Sequence, residues 1–297
     1  MTDTTMDTVP AMDAVLEIRG LRKGFPGFTL DGISLSLPKG YIMGLVGPNG
    51  AGKTTTIQLI LNMLEKDAGD VLIFGKDHIA SESAVKQDIG VVFDSIFYVD
   101  SWTVRDTEKA VSMFYDDWKP GIFAAMAARF GLPPEKKVGE LSRGMQMKLM
   151  LACAFSHDAK LLILDEPTSG LDPVSRDEFL DILQEYIEDG EHSVLFSTHI
   201  TSDLERVADY ITLISSGRLA YTGSMEGLLG RYRLIKGRPQ DLTAELEQCV
   251  LGLRKAGTGF TGLIGTEDAA RYGGCVIEPA TIDSIVIALA RGERDGQ

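Results

Sequence analysis

At 297 residues the chain can bury a sizeable core, and one large domain with a small appendage suits that length better than three domains. Its 29 Lys and Arg face 43 Asp and Glu, a formal charge of −14 that argues against tracking a phosphate backbone, so nucleic acid is not an expected partner. No apolar stretch reaches the roughly 18 residues of a membrane span and no basic residue precedes Arg19, so any membrane role is expected to come through another chain. Cys153, Cys249 and Cys275 form no paired motif, suit a reducing compartment and are read as buried or inert thiols.

The first 14 residues are polar and aperiodic, with Asp3, Asp7 and Asp13, and read as a disordered leader. From Leu16 the chain reads as folded. Alternation through Ile33, Leu35 and Leu37 predicts a half-buried antiparallel strand, and the run Ile42 to Val46 a buried one. The segment GPNGAGKT, Gly47 to Thr54, then matches G-x-x-x-x-G-K-[ST] at every fixed position, after a strand and before a helical pattern. This predicts a nucleoside triphosphate site. The loop residues are Gly47, Pro48, Asn49, Gly50, Ala51 and Gly52; without a Cβ at the glycines, successive N–H groups can curl around phosphates at a helix N-terminus. Lys53 is expected to bridge the β- and γ-phosphates and Thr54 to ligate Mg²⁺, while Thr55 and Thr56 face phosphate or solvent. Ile57, Ile60, Leu61 and Leu64 repeat at helical spacing and would seat the helix on the core.

Further strands are predicted at Val71 to Phe74 and Ile89 to Phe93. Between Ser95 and Asp158 the strand signal stops and helical patterns dominate, broken at Pro133 and Pro134, so this stretch reads as an inserted helical subdomain. Within it LSRGM, Leu141 to Met145, precedes the helical run KLMLACAF, and Ser142 suits either a helix N-cap or a phosphate supplied from outside. Next comes LLILDE, Leu161 to Glu166, an apolar strand ending in two carboxylates at the sheet edge where α/β folds bind ligands. Asp165 is expected to hold Mg²⁺ and Glu166 to orient and deprotonate the attacking water; the competing reading is an acidic helix cap after a core strand. Strands are predicted again at Val194 to Ser197 and Ile211 to Ile214, and His199 ends the first of these at the same edge, where its ring can hydrogen-bond a phosphate oxygen. His78, His157 and His192 have no acidic or cysteine partner at ligand spacing and are read as surface residues. The tail from Ser224 is punctuated by glycines and ends in a helical face, Ile282, Ile285, Val286 and Leu289, after Pro279, which predicts a small α+β appendage.

Phosphate loop, LSRGM, LLILDE strand, the SGLD loop at Ser169 to Asp172 and His199, in this order, resemble the ATP-binding cassette family of transporter ATPases from Leu16 to about Gly223. The resemblance implies an α/β P-loop cassette at residues 15–223, with a parallel core sheet, an antiparallel β subdomain, a helical subdomain at about 95–158, and an α+β accessory region at 224–297. It implies that Ser142 and Gly144 contact the γ-phosphate held by a second cassette, identical or not, and that the loop ending at Asp172 communicates across that dimer. It further implies that His199 contacts γ-phosphate, that Phe25 stacks on adenine, and that ATP and Mg²⁺ are the cofactors. The partner would be a separate transmembrane permease subunit, with this chain peripheral on the inner face of the cell membrane; Phe97, Tyr98 and Trp102 are the candidate docking surface, or else core.

Two motifs depart from the family pattern. Arg143 and Met145 stand in a signature that is commonly LSGGQ, and Asp94 stands where a glutamine usually reports on the metal and attacking water. Asp can ligate Mg²⁺ but cannot donate an amide hydrogen bond, so Asp94 is expected to act as a metal-side sensor. The tail, these departures and the segment DLERVADY, Asp203 to Tyr210, resemble the drug and peptide-antibiotic export branch. The alternative is a soluble cassette ATPase that powers macromolecular assembly, as in iron–sulfur assembly.

Overall fold

A computed structural model describes residues 13–295. Most of the leader lies outside the described residues, but strand β1 already starts at Ala14, and the Asp13 carbonyl accepts from Lys39 N–H at 3.0 Å. Strand β1 therefore starts two residues before the expected Leu16, because pairing to the far end of the next strand holds the chain there.

In chain order the first elements are β1 (Ala14–Phe25), β2 (Phe28–Pro38), β3 (Ile42–Val46), α1 (Lys53–Ile60), β4 (Ala68–Ile73), β5 (Lys76–Asp77), α2 (Glu82–Gln87) and β6 (Ile89–Val92). Three helices follow without an intervening strand: α3 (Val104–Ser112), α4 (Pro120–Arg129) and α5 (Arg143–Ser156). The chain then returns to the sheet as β7 (Leu161–Asp165), α6 (Pro173–Ile187), β8 (Ser193–Thr198), α7 (Thr201–Val207), β9 (Tyr210–Ser215) and β10 (Arg218–Ser224).

These strands make two sheets. One has the order β10-β9-β3-β8-β7-β6, parallel except for the β10–β9 hairpin, and β3, β7 and β8 are buried along their whole length. That burial on both faces is why these segments read as continuous apolar runs rather than alternating ones. The other sheet is antiparallel, β2-β1-β4-β5, and its alternating inward residues Leu16, Ile18, Ile33, Leu35 and Leu37 close over α1, where Ile57, Leu59 and Ile60 are buried. The fold is thus an α/β arrangement with a parallel core, an antiparallel β layer and inserted helices, as the motif pattern led us to expect.

After α8 (Met225–Arg231) the tail continues as β11 (Tyr232–Gly237), α9 (Ala244–Cys249), β12 (Leu251–Ala256), β13 (Gly259–Gly265), α10 (Thr266–Ala269), β14 (Val276–Pro279) and α11 (Ile282–Asp295). Its sheet is antiparallel throughout, with the order β12-β13-β11-β14, so two βαβ units interleave in a split βαββαβ arrangement. Ile235, Phe260 and Ile264 on one face pack with Leu246 of α9 and Ala269 of α10. Leu263 on the opposite face joins Ile282, Ile285 and Ala288 of α11 in the same buried cluster as the cassette residues Leu204 and Val207. The last helix therefore belongs to both bodies.

Candidate functional site at the carboxyl edge of the parallel sheet

Strand β3 lies centrally, between β8 and β9, and delivers the phosphate loop to the edge where β7 ends at Asp165 and β8 at Thr198. Two glycines there answer to specific constraints. A Cβ on Gly47 would stand 2.2 Å from the Ile214 carbonyl oxygen, and Gly52 takes φ +113° in front of α1 with no room beside Leu30. Helix α1 has no side-chain cap, so its first N–H groups face the loop.

A cleft of about 610 Å³ opens at this edge, lined by Phe28, Asn49, Gly50, Gly52, Lys53, Thr54, Thr55, Asp94, Glu166, Ser169 and His199. Residues from the phosphate loop, the carboxylate strand, the end of β8 at His199 and the segment after β6 thus meet in one place. Thr56 is turned the other way. It is fully buried and its hydroxyl donates to the Gly52 carbonyl at 2.9 Å, which removes it from the phosphate- or solvent-facing set.

Glu166 sits at the junction of three motifs. Its φ of +50° is a left-handed conformation costing on the order of 1–3 kcal/mol for a non-glycine residue, held by its N–H donating to the Ser197 carbonyl at 3.0 Å. One carboxylate oxygen lies 3.4 Å from the Lys53 ammonium; the other accepts from His199 N–H at 3.2 Å and lies 2.6 Å from His199 Nδ1. Lys53 is only 6% exposed, and it also donates to the Gly47 carbonyl at 2.9 Å. The carboxylate is therefore the counter-ion of a buried lysine and the anchor of the histidine at once.

Asp165 is buried beside it and accepts from the Ser197 hydroxyl at 2.5 Å. Burial pushes its carboxyl above the usual range, opposed by hydrogen bonds from Ser197 and Thr54 and reinforced by the charges of Glu166 and Asp94. Thr54, Asp94 and Asp165 form an oxygen-donor set. Among the described residues no group of three or more His, Cys, Asp or Glu gathers closely enough to hold a metal alone. Such a sparse set fits Mg²⁺, which binds through one or two carboxylates while substrate phosphates and water supply the rest.

Other sequence-selected residues lie outside the cleft lining. Phe25 is 37% exposed at the end of β1; Phe28, directly opposite across the hairpin with ring centroids 6.3 Å apart, takes the place on the cleft. The sequence reading missed Phe28: the two rings share one face of the hairpin, and spacing from the loop does not say which of them reaches the cleft. Ser142 caps α5, accepting from Met145 N–H at 3.3 Å, and Gly144 packs near Leu171. Asp172 caps α6 by accepting from Val174 and Ser175, and these hydrogen bonds hold its carboxyl below the usual range. The two departures from the family pattern adjoin each other: the Arg143 guanidinium lies 4.0 Å from Asp94 and against Gly170.

Two histidines correct the surface assignment. His78 and His157 are 2% and 5% exposed; His78 Nδ1 meets the Val71 carbonyl, and His157 meets the carbonyls of Cys153 and Ile89 while stacking on Tyr115. Burial holds both rings below the usual imidazole range. Their partners are backbone oxygens, which leave no side-chain signature. His192, half-buried, pairs with Asp189. Cys153 is buried with its thiol pushed up to about 12, while Cys249 and Cys275 are half-buried. Of the candidate docking residues, Phe97 is 69% exposed, whereas Tyr98 packs into the core beside Cys153 and Trp102 is half-buried. Met113 and Phe114, unnoticed in the sequence, are each 75% exposed on the helical insert.

Comparison with known proteins agrees with this fold. The sequence profile of the family described as "ABC transporter" matches residues 30–169. The chain is 34% identical over 203 residues to the ABC transporter ATP-binding protein NatA of Bacillus subtilis, covering 66% of this chain and 82% of that protein. It is 33% identical over 230 residues to the Nod factor export ATP-binding protein I of Burkholderia orbicola, covering 73% of each. With YtrB of Bacillus subtilis, an ABC transporter ATP-binding protein, it shares 30% identity over 257 residues, 86% of this chain and 88% of that one. Among solved structures, an ATP-binding subunit of an ABC transporter superposes with a TM-score of 0.67 at 25% identity, covering 72% of this chain and 91% of that chain.

Proposed function

This chain belongs to the ABC transporter family, as an ATP-binding and ATP-hydrolysing subunit of its export branch, and on that premise we propose how its residues perform the reaction. No helix among the described residues is long and apolar enough to cross a membrane. Family membership supports a membrane partner that provides the transport path. We place the chain on the inner face of the membrane, paired with a second cassette, identical or not. One phosphate loop and one signature per chain support that pairing: Ser142 and Gly144 lie outside the chain's own cleft and are free to meet nucleotide held by another.

The observation that carries the reading is the Glu166 carboxylate between Lys53 and His199. In the proposed cycle ATP phosphates take over Lys53 and the first N–H groups of α1, which frees Glu166 to orient the attacking water and accept its proton. His199, held through Nδ1, offers its other ring nitrogen toward the γ-phosphate. Thr54, Asp165 and Asp94 would hold Mg²⁺, whose chemistry there is to neutralise phosphate charge. Phe28, stacked on Phe25, forms the aromatic side of the nucleotide site, and Asp172 caps α6 at the end of the loop that faces the second cassette. Drugs, peptide antibiotics or similar compounds are the proposed cargo.

The test is recovery of partners: the tagged chain is extracted from its native membranes in mild detergent and what accompanies it is identified by mass spectrometry. A multi-span protein is expected, whereas soluble partners alone would point to an assembly ATPase and overturn the transport reading. Asp94→Ala is expected to raise the Mg²⁺ concentration for half-maximal turnover about 10-fold. Unchanged Mg²⁺ dependence and unchanged stimulation by the membrane subunit would remove Asp94 from the metal side.

A further inference from the structure

Helix α7 begins two residues after His199 and is pinned on both sides. Toward the catalytic strand, Asp203, 2% exposed, accepts from the Thr168 hydroxyl at 2.7 Å, and Thr168 follows Glu166 by two residues. Toward the accessory region, the Thr201 hydroxyl donates to Asp283 Oδ1 at 2.6 Å, and Glu205 Oε1 accepts from Ile282 N–H at 2.9 Å. Both outer bonds end in the first turn of α11. That turn is itself fixed, because Thr281 and Ser284 exchange backbone-to-hydroxyl hydrogen bonds at 3.0 and 3.2 Å. Carboxylates at a helix N-terminus are favoured by its unpaired N–H groups and dipole, so Glu205 and Asp283 suit their places. Thr201 is only 8% exposed, and a buried hydroxyl is costly to leave unpaired. Beneath the polar contacts, Ile282 and Ile285 are fully buried in the cluster that contains Leu204 and Val207 of α7.

We propose that Asp283, supported by Glu205, is a positioning residue for ATP hydrolysis: through Thr201 it braces α7, and so fixes His199 against Glu166. The accessory region is then part of the hydrolytic machinery, and whatever binds or shifts α11 sets the turnover rate. This rests on the reading of Glu166 and His199 given above. A brace of this kind acts on catalytic geometry and leaves the phosphate loop untouched, because α7 carries no residue of the cleft lining.

The experiment compares full-length wild type, Asp283→Ala, Asp283→Asn, Thr201→Val and Thr201→Ser in steady-state ATP hydrolysis, with thermal melting of each. Asp283→Ala and Thr201→Val are expected to lower kcat about tenfold with KM for ATP held within about twofold. Asp283→Asn and Thr201→Ser, which keep the acceptor and the hydroxyl, are expected to restore kcat. A folded Asp283→Ala protein with wild-type kcat overturns the proposal. So does a fall in kcat that tracks a lowered melting temperature and is equal in Asp283→Asn, since that is loss of packing. Wild-type protein with no ATPase activity would instead overturn the site reading and the brace with it, before any variant is compared.

Discussion

Glu166→Gln is expected to bind ATP at least as tightly as the wild type and to lose about 10²- to 10⁴-fold in steady-state turnover, the range for a positioned base. The amide keeps the size of the side chain and an oxygen that can accept from His199 N–H, so the left-handed turn after β7 retains its anchors. What it cannot do is take a proton from water. The neutral amide also no longer competes with phosphate for the Lys53 ammonium 3.4 Å away, which is why affinity is not expected to fall. Titration with a fluorescent nucleotide and phosphate release on the same preparation separate the two effects. Wild-type turnover would take Glu166 out of the base role, and lost binding would show that its charge serves the fold.

The fate of individual residues shows what a linear sequence can carry. Strands β3, β7 and β8 were visible because burial on both faces demands unbroken apolar runs. The phosphate loop was visible because a backbone nest at a helix start tolerates few residue types, and Gly47 has no alternative beneath the Ile214 carbonyl. Other features depend on pairings that local patterns do not encode. Phe25 and Phe28 come together as one stacked pair on the same face of a hairpin, and which of them reaches the cleft depends on how that hairpin sits over the phosphate loop. His78 and His157 find backbone carbonyls rather than acids, so nothing nearby in the sequence marks them as buried. The accessory sheet order and the Thr201–Asp283 bond, across 82 residues, are long-range facts of the same kind.

Lys53→Met is expected to weaken ATP binding about 100-fold, the equivalent of the ~3 kcal/mol at the upper end for a hydrogen bond to a charged group, and to abolish turnover at ordinary ATP concentrations. Methionine preserves most of the buried stem, so packing around the phosphate loop should survive while the ammonium is lost. The effect on stability has a separate origin. Breaking a buried pair from one side costs roughly 3–5 kcal/mol when the remaining charge has no other relief. Glu166 keeps His199 on its second oxygen and is partly exposed, so the loss should fall below that range. Adding Glu166→Gln to Lys53→Met removes the stranded carboxylate, and the double variant is expected to recover melting temperature without recovering ATP affinity. That split is the signature of a lysine whose charge is held by Glu166 in the empty cleft and transferred to phosphate in the filled one. Recovery of both would mean that the lysine matters only for folding. Recovery of neither would mean that the 3.4 Å contact carries no energetic coupling, and a thermodynamic cycle over the four proteins measures that coupling directly.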